Sequence, residues 1–234
     1  MTIQLYDLAC GDQRIFFSPY CWRTKMALKH KALSFESLPW KFSEKALLEK
    51  SGQRRVPVIV DNGTWVHDSS QIATYLDTTY PDRPALMKDD SAKATARFVE
   101  AWCVSALFSA LRPICVADVF NIIADEDKTY FRESREKMLG TTLEELSKDP
   151  TAERQALFQS MNPLEAMLSH SDYFGGTEPN YADYIVFGTL MWPYTVSPGL
   201  PYVDGSAVDK WFNRLLDLND GFARTTAARA HPNT

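Results

Sequence analysis

Residues 56–80, VPVIVDNGTWVHDSSQIATYLDTTY, decide the fold. Two β-rich runs flank Asn62-Gly63, and Asn-Gly between alternating apolar runs is the strongest short hairpin signal. The second run leads into SSQIATYLDTTY, where Ile72, Tyr75, Leu76 and Tyr80 recur close to helical spacing. A hairpin followed at once by a helix needs partners for both faces of the sheet. Upstream, IQLYDL (3–8) alternates as a strand, CWRTKMALKHK (21–31) has helical composition, and LSFESLPW (33–40) is again strand-like. SEKALLEKSG (43–52) predicts a short helix capped by Ser43 and ending near Gly52. The order β-α-β-α-β-β-α, with short connections, predicts a small mixed sheet with helices on both faces.

Downstream the strand pattern stops. PDRPALMKDD (81–90), with two prolines and a charge cluster, reads as an exposed linker. Residues 91–123 form a long helical run in which Pro113 is expected to kink or break the helix. Amphipathic helices follow over 127–148, 152–170, 180–196 and 206–219, and TTAARAHPNT (225–234) reads as a frayed tail. The expected fold is an α/β N-terminal domain (1–87) followed by an all-helical C-terminal domain (92–234).

Composition sets bounds on function. The 234 residues are 45% apolar with a net charge of −5, which argues against a general nucleic-acid binder. No apolar run approaches the roughly 20 residues of a membrane span, and MTIQLYDLAC does not resemble a secretory signal. Cys10, Cys21, Cys103 and Cys115 lack metal-ligand spacing and read as reduced thiols of a cytoplasmic protein, so no metal is expected. The six tryptophans and ten tyrosines serve a core first and an aromatic site second.

The candidate chemistry lies in FFSPYCWRTK (16–25). Ser18-Pro19-Tyr20-Cys21 resembles a dithiol motif with serine in place of its first cysteine. Pro19 suits the first helical position, so the free N–H groups of that helix start surround Ser18. Such a place favours an anion, and a thiolate carried in by a small molecule would take a charge-assisted bond from the hydroxyl. Simple N-capping by Ser18 is the alternative. Cys21, one turn on, reads as a small apolar residue or as a thiol for mixed-disulfide exchange. Pro57 at a strand start is where a cis peptide bond would hold a turn, leaving the Val56 backbone to pair with a peptide-like ligand. Asp68 and Ser69, ahead of a helix, either cap it or hold an α-amino acid zwitterion, with Asp68 on the ammonium.

SPYCWRTKMALKHK, RRVPVIVD, DSSQIATYLD and PNYADYIVFGTL occur in the order seen in glutathione S-transferases, spanning nearly the whole chain. In the last segment Asn180 and Asp183 have the spacing of a reciprocal cap. Within that superfamily, residues 18–31, 56–84 and 130–140 resemble the bacterial β-etherases of lignin breakdown and the fungal etherase-like (Fua-class) transferases. The resemblance implies a thioredoxin-like N-terminal domain, a helical C-terminal domain, a homodimer and glutathione as cosubstrate. It implies Ser18 facing the glutathione sulfur, Val56 and Pro57 at the cysteinyl backbone, Asp68 and Ser69 at the γ-glutamyl end, and Arg55 near the glycine carboxylate. Family members usually carry glutamate where Asp68 stands, and glutamine or lysine where Arg55 stands. An aromatic electrophile is expected between the domains, against Tyr20 and Phe108. The rival expectation is a ligandin that binds aromatic compounds beside glutathione without transforming them.

Overall fold

In a computed structural model, residues 2–146, 148–149, 151–199, 201–226 and 228 are described. The sheet contains β1 (Ile3–Leu8), β2 (Phe35–Trp40), β3 (Val58–Asp61) and β4 (Thr64–His67), in the order β2-β1-β3-β4. Only β1 and β2 run parallel; β3 is antiparallel to both its neighbours. The hairpin forms where the sequence places it. Asp61 pairs with Thr64, and Asn62 and Gly63 both take positive φ, 49° and 85°, as a two-residue turn of this hand requires. Helix α1 (Pro19–His30) packs against α2 (Ser69–Thr79). The segment expected as a helix capped by Ser43 is a 3₁₀ helix, Lys45–Ser51, with no side-chain cap. Gly52 ends it in the left-handed conformation.

Among the described residues the second half is built of helices joined by loops: α3 (Asp90–Trp102), α4 (Phe108–Ile122), α5 (Asp125–Leu139), α6 (Leu143–Leu146), α7 (Thr151–Ser160), α8 (Asn162–Leu168), α9 (Tyr181–Val196) and α10 (Ala207–Gly221). Apolar residues line every side of α9, and all of it except Trp192 is buried, as expected of a central helix. Its start carries the predicted reciprocal cap: Asn180 Oδ1 accepts from Ala182 N (2.8 Å) and Asp183 Oδ2 from Asn180 N (2.9 Å).

Pro113 neither kinks nor breaks its helix; α4 runs through it. The irregularity lies upstream, in a π turn over Cys103–Leu107 where the Phe108 N–H reaches Cys103 O. Leu111, Ile114, Cys115 and Val119 are buried, and α4 packs on α7 and α9. That packing outweighs the roughly 3 kcal/mol that an interior proline costs. By length and composition alone, Asp90–Ile122 would cross a membrane, but half of its apolar window is buried in the fold, as in a core helix. The expected linker is a loop, exposed except around one anchor. Leu86 is buried, its N–H donates to Asp77 Oδ1 (2.9 Å), and its carbonyl accepts from Tyr181 N (3.1 Å). Of the tail expected to fray, residues 227 and 229–234 lie outside the described residues.

The two halves meet along α1 and α9. A Cβ on Gly188 would stand 2.5 Å from Pro19 O and 2.8 Å from Arg23 Cγ, so only glycine allows this approach. Beside it Arg23, fully buried, pairs with Glu100 of α3 (2.5 Å) and donates to Thr189 Oγ1 (3.3 Å). Lys25, also buried, pairs with Asp7 of β1 at 3.0 Å. Removing one partner from such a pair costs about 3–5 kcal/mol, because the other charge is stranded.

Candidate active site

Sheet register assembles the site. The β1–β3 pairing ends with Tyr6 opposite Val58, so Leu8, two residues beyond Tyr6, and Val56, two residues before Val58, lie toward the same end of the sheet. Leu8 O accepts from Phe17 N (3.2 Å), which brings Ser18 to the same end of the sheet. Val58 also faces His67 across β4, so Asp68 and the start of α2 arrive there too. Three segments far apart in sequence therefore converge on one edge, and they are the three the sequence singles out.

Ser18 is the N-cap of α1, with Pro19 at the first helical position. Its Oγ accepts from Cys21 N at 3.3 Å, and the residue is only 4% exposed. Capping and function are therefore compatible: a hydroxyl oxygen that receives a helix N–H can still donate its own proton. Cys21 is fully buried, and burial pushes its thiol pKa well above the usual value, with the Asp7 charge adding to the effect. A thiol in that state is a poor nucleophile.

Val56-Pro57 is a cis peptide bond, at the position where the sequence suggests one. Among the described residues, neither backbone group of Val56 has a hydrogen-bond partner, and the Arg55 side chain before it is exposed. Asp68 caps α2 through one oxygen: Oδ1 accepts from Ser70 N (2.9 Å), Gln71 N (3.2 Å) and Ser70 Oγ (2.6 Å), and its other oxygen makes none of these bonds. Asp68 also holds φ = 68°, rare for a non-glycine residue and worth roughly 1–3 kcal/mol of strain. Ser69 is buried, and the buried Tyr181 hydroxyl lies beside it without meeting hydrogen-bond geometry.

Tyr20 and Phe108 do come together, but as a stack: their rings are 5.6 Å apart and 10° from parallel. No substrate ring fits between them, and Phe108 is buried, so the half-buried Tyr20 is the member of the stack that offers surface. Phe108 also meets Trp192 at 6.0 Å, and Arg23 lies 4.5 Å over the Tyr20 ring. Burial raises the Tyr20 pKa, so its hydroxyl stays protonated. Sequence reasoning missed the Arg23–Glu100 tie, since its partners are 77 residues apart. A glycine within the apolar run of α9 was the available cue for Gly188. No cluster of three or more metal-binding side chains occurs among the described residues.

Residues 15–84 match the family model of the glutathione S-transferase N-terminal domain, and residues 94–218 match that of its C-terminal domain. The chain belongs to the glutathione S-transferase family. A curated relative of this transferase, glutathione S-transferase U28 of Arabidopsis thaliana, is 29% identical over 183 residues, 76% of this chain and 70% of the relative. Among solved structures, GSTFuA3 of Phanerochaete chrysosporium superposes with a TM-score of 0.77 at 25% identity, covering 96% of the transferase and 94% of that chain. The β-etherase LigF of Sphingobium sp. strain SYK-6 shares the fold, with a TM-score of 0.70 at 19% identity over 96% of this transferase and 100% of its own chain. Two further transferases of this fold, from Ceriporiopsis subvermispora, were solved in complex with glutathione. The thioredoxin-like sheet and the helical half of the transferase are thus those of the family.

Proposed function

We propose that this chain is a serine-type, etherase-like glutathione transferase. Ser18 and the start of α1 hold the glutathione thiolate for attack on an aromatic or hydrophobic electrophile, with β-aryl ethers the first substrates to try. The observation that carries this reading is the Ser18 hydroxyl, seated at the N-terminus of α1, where its oxygen accepts from Cys21 N. Val56 offers unpaired backbone groups to the cysteinyl residue, with Pro57 shaping the turn. Asp68 Oδ2 and the α2 start face the γ-glutamyl end, with Ser69 beside them, and Arg55 faces the glycine carboxylate. The electrophile rests on Tyr20 of the Tyr20–Phe108 stack.

The same reading places the glutathione-binding domain at 1–87 and the electrophile-binding domain at 92–234. It makes the protein a cytoplasmic homodimer that detoxifies or degrades lignin-derived aromatics, with no nucleic acid, membrane or metal as partner. Thiol exchange through Cys21 ranks below it, because that sulfur is buried and held as a thiol. No feature of the described site favours a non-catalytic ligandin.

The test follows thiolate absorbance of bound glutathione against pH in the wild type and in Ser18→Ala, alongside turnover of an aryl electrophile. We expect a lowered thiol pKa that returns toward the free value in the variant, and kcat/KM reduced about 10–100-fold, the worth of one bond to a charge. Unchanged turnover in Ser18→Ala would sink the serine role. Glutathione bound with an unshifted thiol would point to a ligandin.

A further inference from the structure

Helix α5 carries five acids; Glu133 is exposed, and the other four are already committed. Asp125 pairs with Lys128 (2.6 Å), Glu126 with Lys41 (3.0 Å) and Glu136 with Arg132 (2.9 Å). Asp127 accepts from the backbone N–H groups of Phe42 (2.9 Å) and Ser43 (2.7 Å), which docks the loop after β2 onto α5. Arg135, two turns further along, is left without an acid. Its guanidinium lies 4.7 Å from the Phe131 ring and 5.6 Å from Phe42, it donates to Ser134 Oγ (2.9 Å), and the Tyr130 hydroxyl lies beside it. Its neighbours are cationic. Arg55 is within electrostatic reach of it, and Lys45 sits 3.8 Å over the Tyr130 ring beside it. Among the described residues no carboxylate lies within ion-pair distance of Arg135 or Arg55. Burial, with the Arg55 charge adding to it, lowers the Arg135 pKa.

The rings attract the guanidinium, but a half-buried cation beside a second arginine and without a carboxylate is costly unless an anion joins them. The place fits one anion in particular. Arg55 directly precedes Val56, whose free backbone groups suit a peptide laid alongside, and the next residue of such a peptide lies only about 3.3 Å further on.

We propose that Arg135 is the second arm of a carboxylate clamp, in which Arg55 from the loop before Pro57 and Arg135 from α5 together hold the glycyl carboxylate of glutathione. The helical half then reads the cosubstrate as well as the electrophile, and glutathione ties α5 to the sheet edge. The clamp rests on the transferase reading above.

The test is calorimetric titration of the full-length protein with glutathione and with its glycyl amide, which lacks that carboxylate. Arg135→Gln should weaken glutathione binding about 10–100-fold, the worth of a charge-assisted bond, while changing amide binding less than about two-fold. Arg135→Lys, which keeps the packed stem and the charge, should recover part of the loss. In turnover, KM for glutathione should rise with kcat nearly unchanged. Equal losses for acid and amide, or no loss at all, would overturn the clamp while leaving the Ser18 reading intact. A wild type that binds no glutathione would overturn both.

Discussion

His30 shows how a single residue at the junction of the halves couples stability to pH. Its Nε2 is 3.2 Å from Ala85 O, an acceptor only, so that nitrogen carries the proton; Nδ1 therefore accepts from the Tyr184 hydroxyl at 2.7 Å. This neutral tautomer satisfies both bonds, and burial lowers the His30 pKa. The stability it contributes is present above the unfolded pKa of about 6.5 and is lost as pH falls through the lower folded value. The buried Asp183 acts in the opposite sense. Burial raises its pKa to about 6, so its contribution grows as pH falls through that value. Melting the wild type and His30→Gln side by side from about pH 7 to pH 5 separates the two. The variant should show the shallower loss on acidification; identical slopes would refute the role of His30. At this scale the sequence was most informative where a residue acts locally. Ser18 and Asp68 could be read because caps and Pro19 lie within a few residues of what they bond. Arg135 could not, because its lack of an acidic partner is a property of three segments brought together by folding.

Among the elements, the α1–α9 contact governs the site most directly. Gly188 touches the carbonyl of Pro19, the residue next to Ser18, and the stem of Arg23. Gly188→Ala should force α1 and α9 apart, with a loss of about 1–3 kcal/mol in stability, as for overpacking elsewhere. It should also reduce kcat/KM, since the N-terminus of α1 shifts with the contact. Denaturant titration and turnover together check this, and full stability with full activity would refute it. Element types were mostly legible from period and turn chemistry. The strands, the Asn62-Gly63 hairpin and the Asn180 cap stand where the pattern put them. The misreading at Pro113 has a tertiary cause: the residue carries a local signal for a break, and packing overrides it.

For the whole molecule, four motifs in order, supported by matches over 15–84 and 94–218, made the family legible, while the side-chain contacts between the halves were not. Those contacts depend on how the helices cross, as the Tyr20–Phe108 stack shows. The expected homodimer is checked by size-exclusion chromatography with light scattering across a range of concentrations: a mass near twice 26.6 kDa supports it, and a monomer throughout refutes it. Finally, all four cysteines are unpaired and buried, and Cys10, Cys21, Cys103 and Cys115 all have raised pKa values. An enzyme that invites alkylating compounds into its cleft would ordinarily risk poisoning itself. Under the proposed serine mechanism, the sulfur that takes the alkyl group arrives with the cosubstrate and departs with the product, while the chain's own cysteines stay buried and protonated.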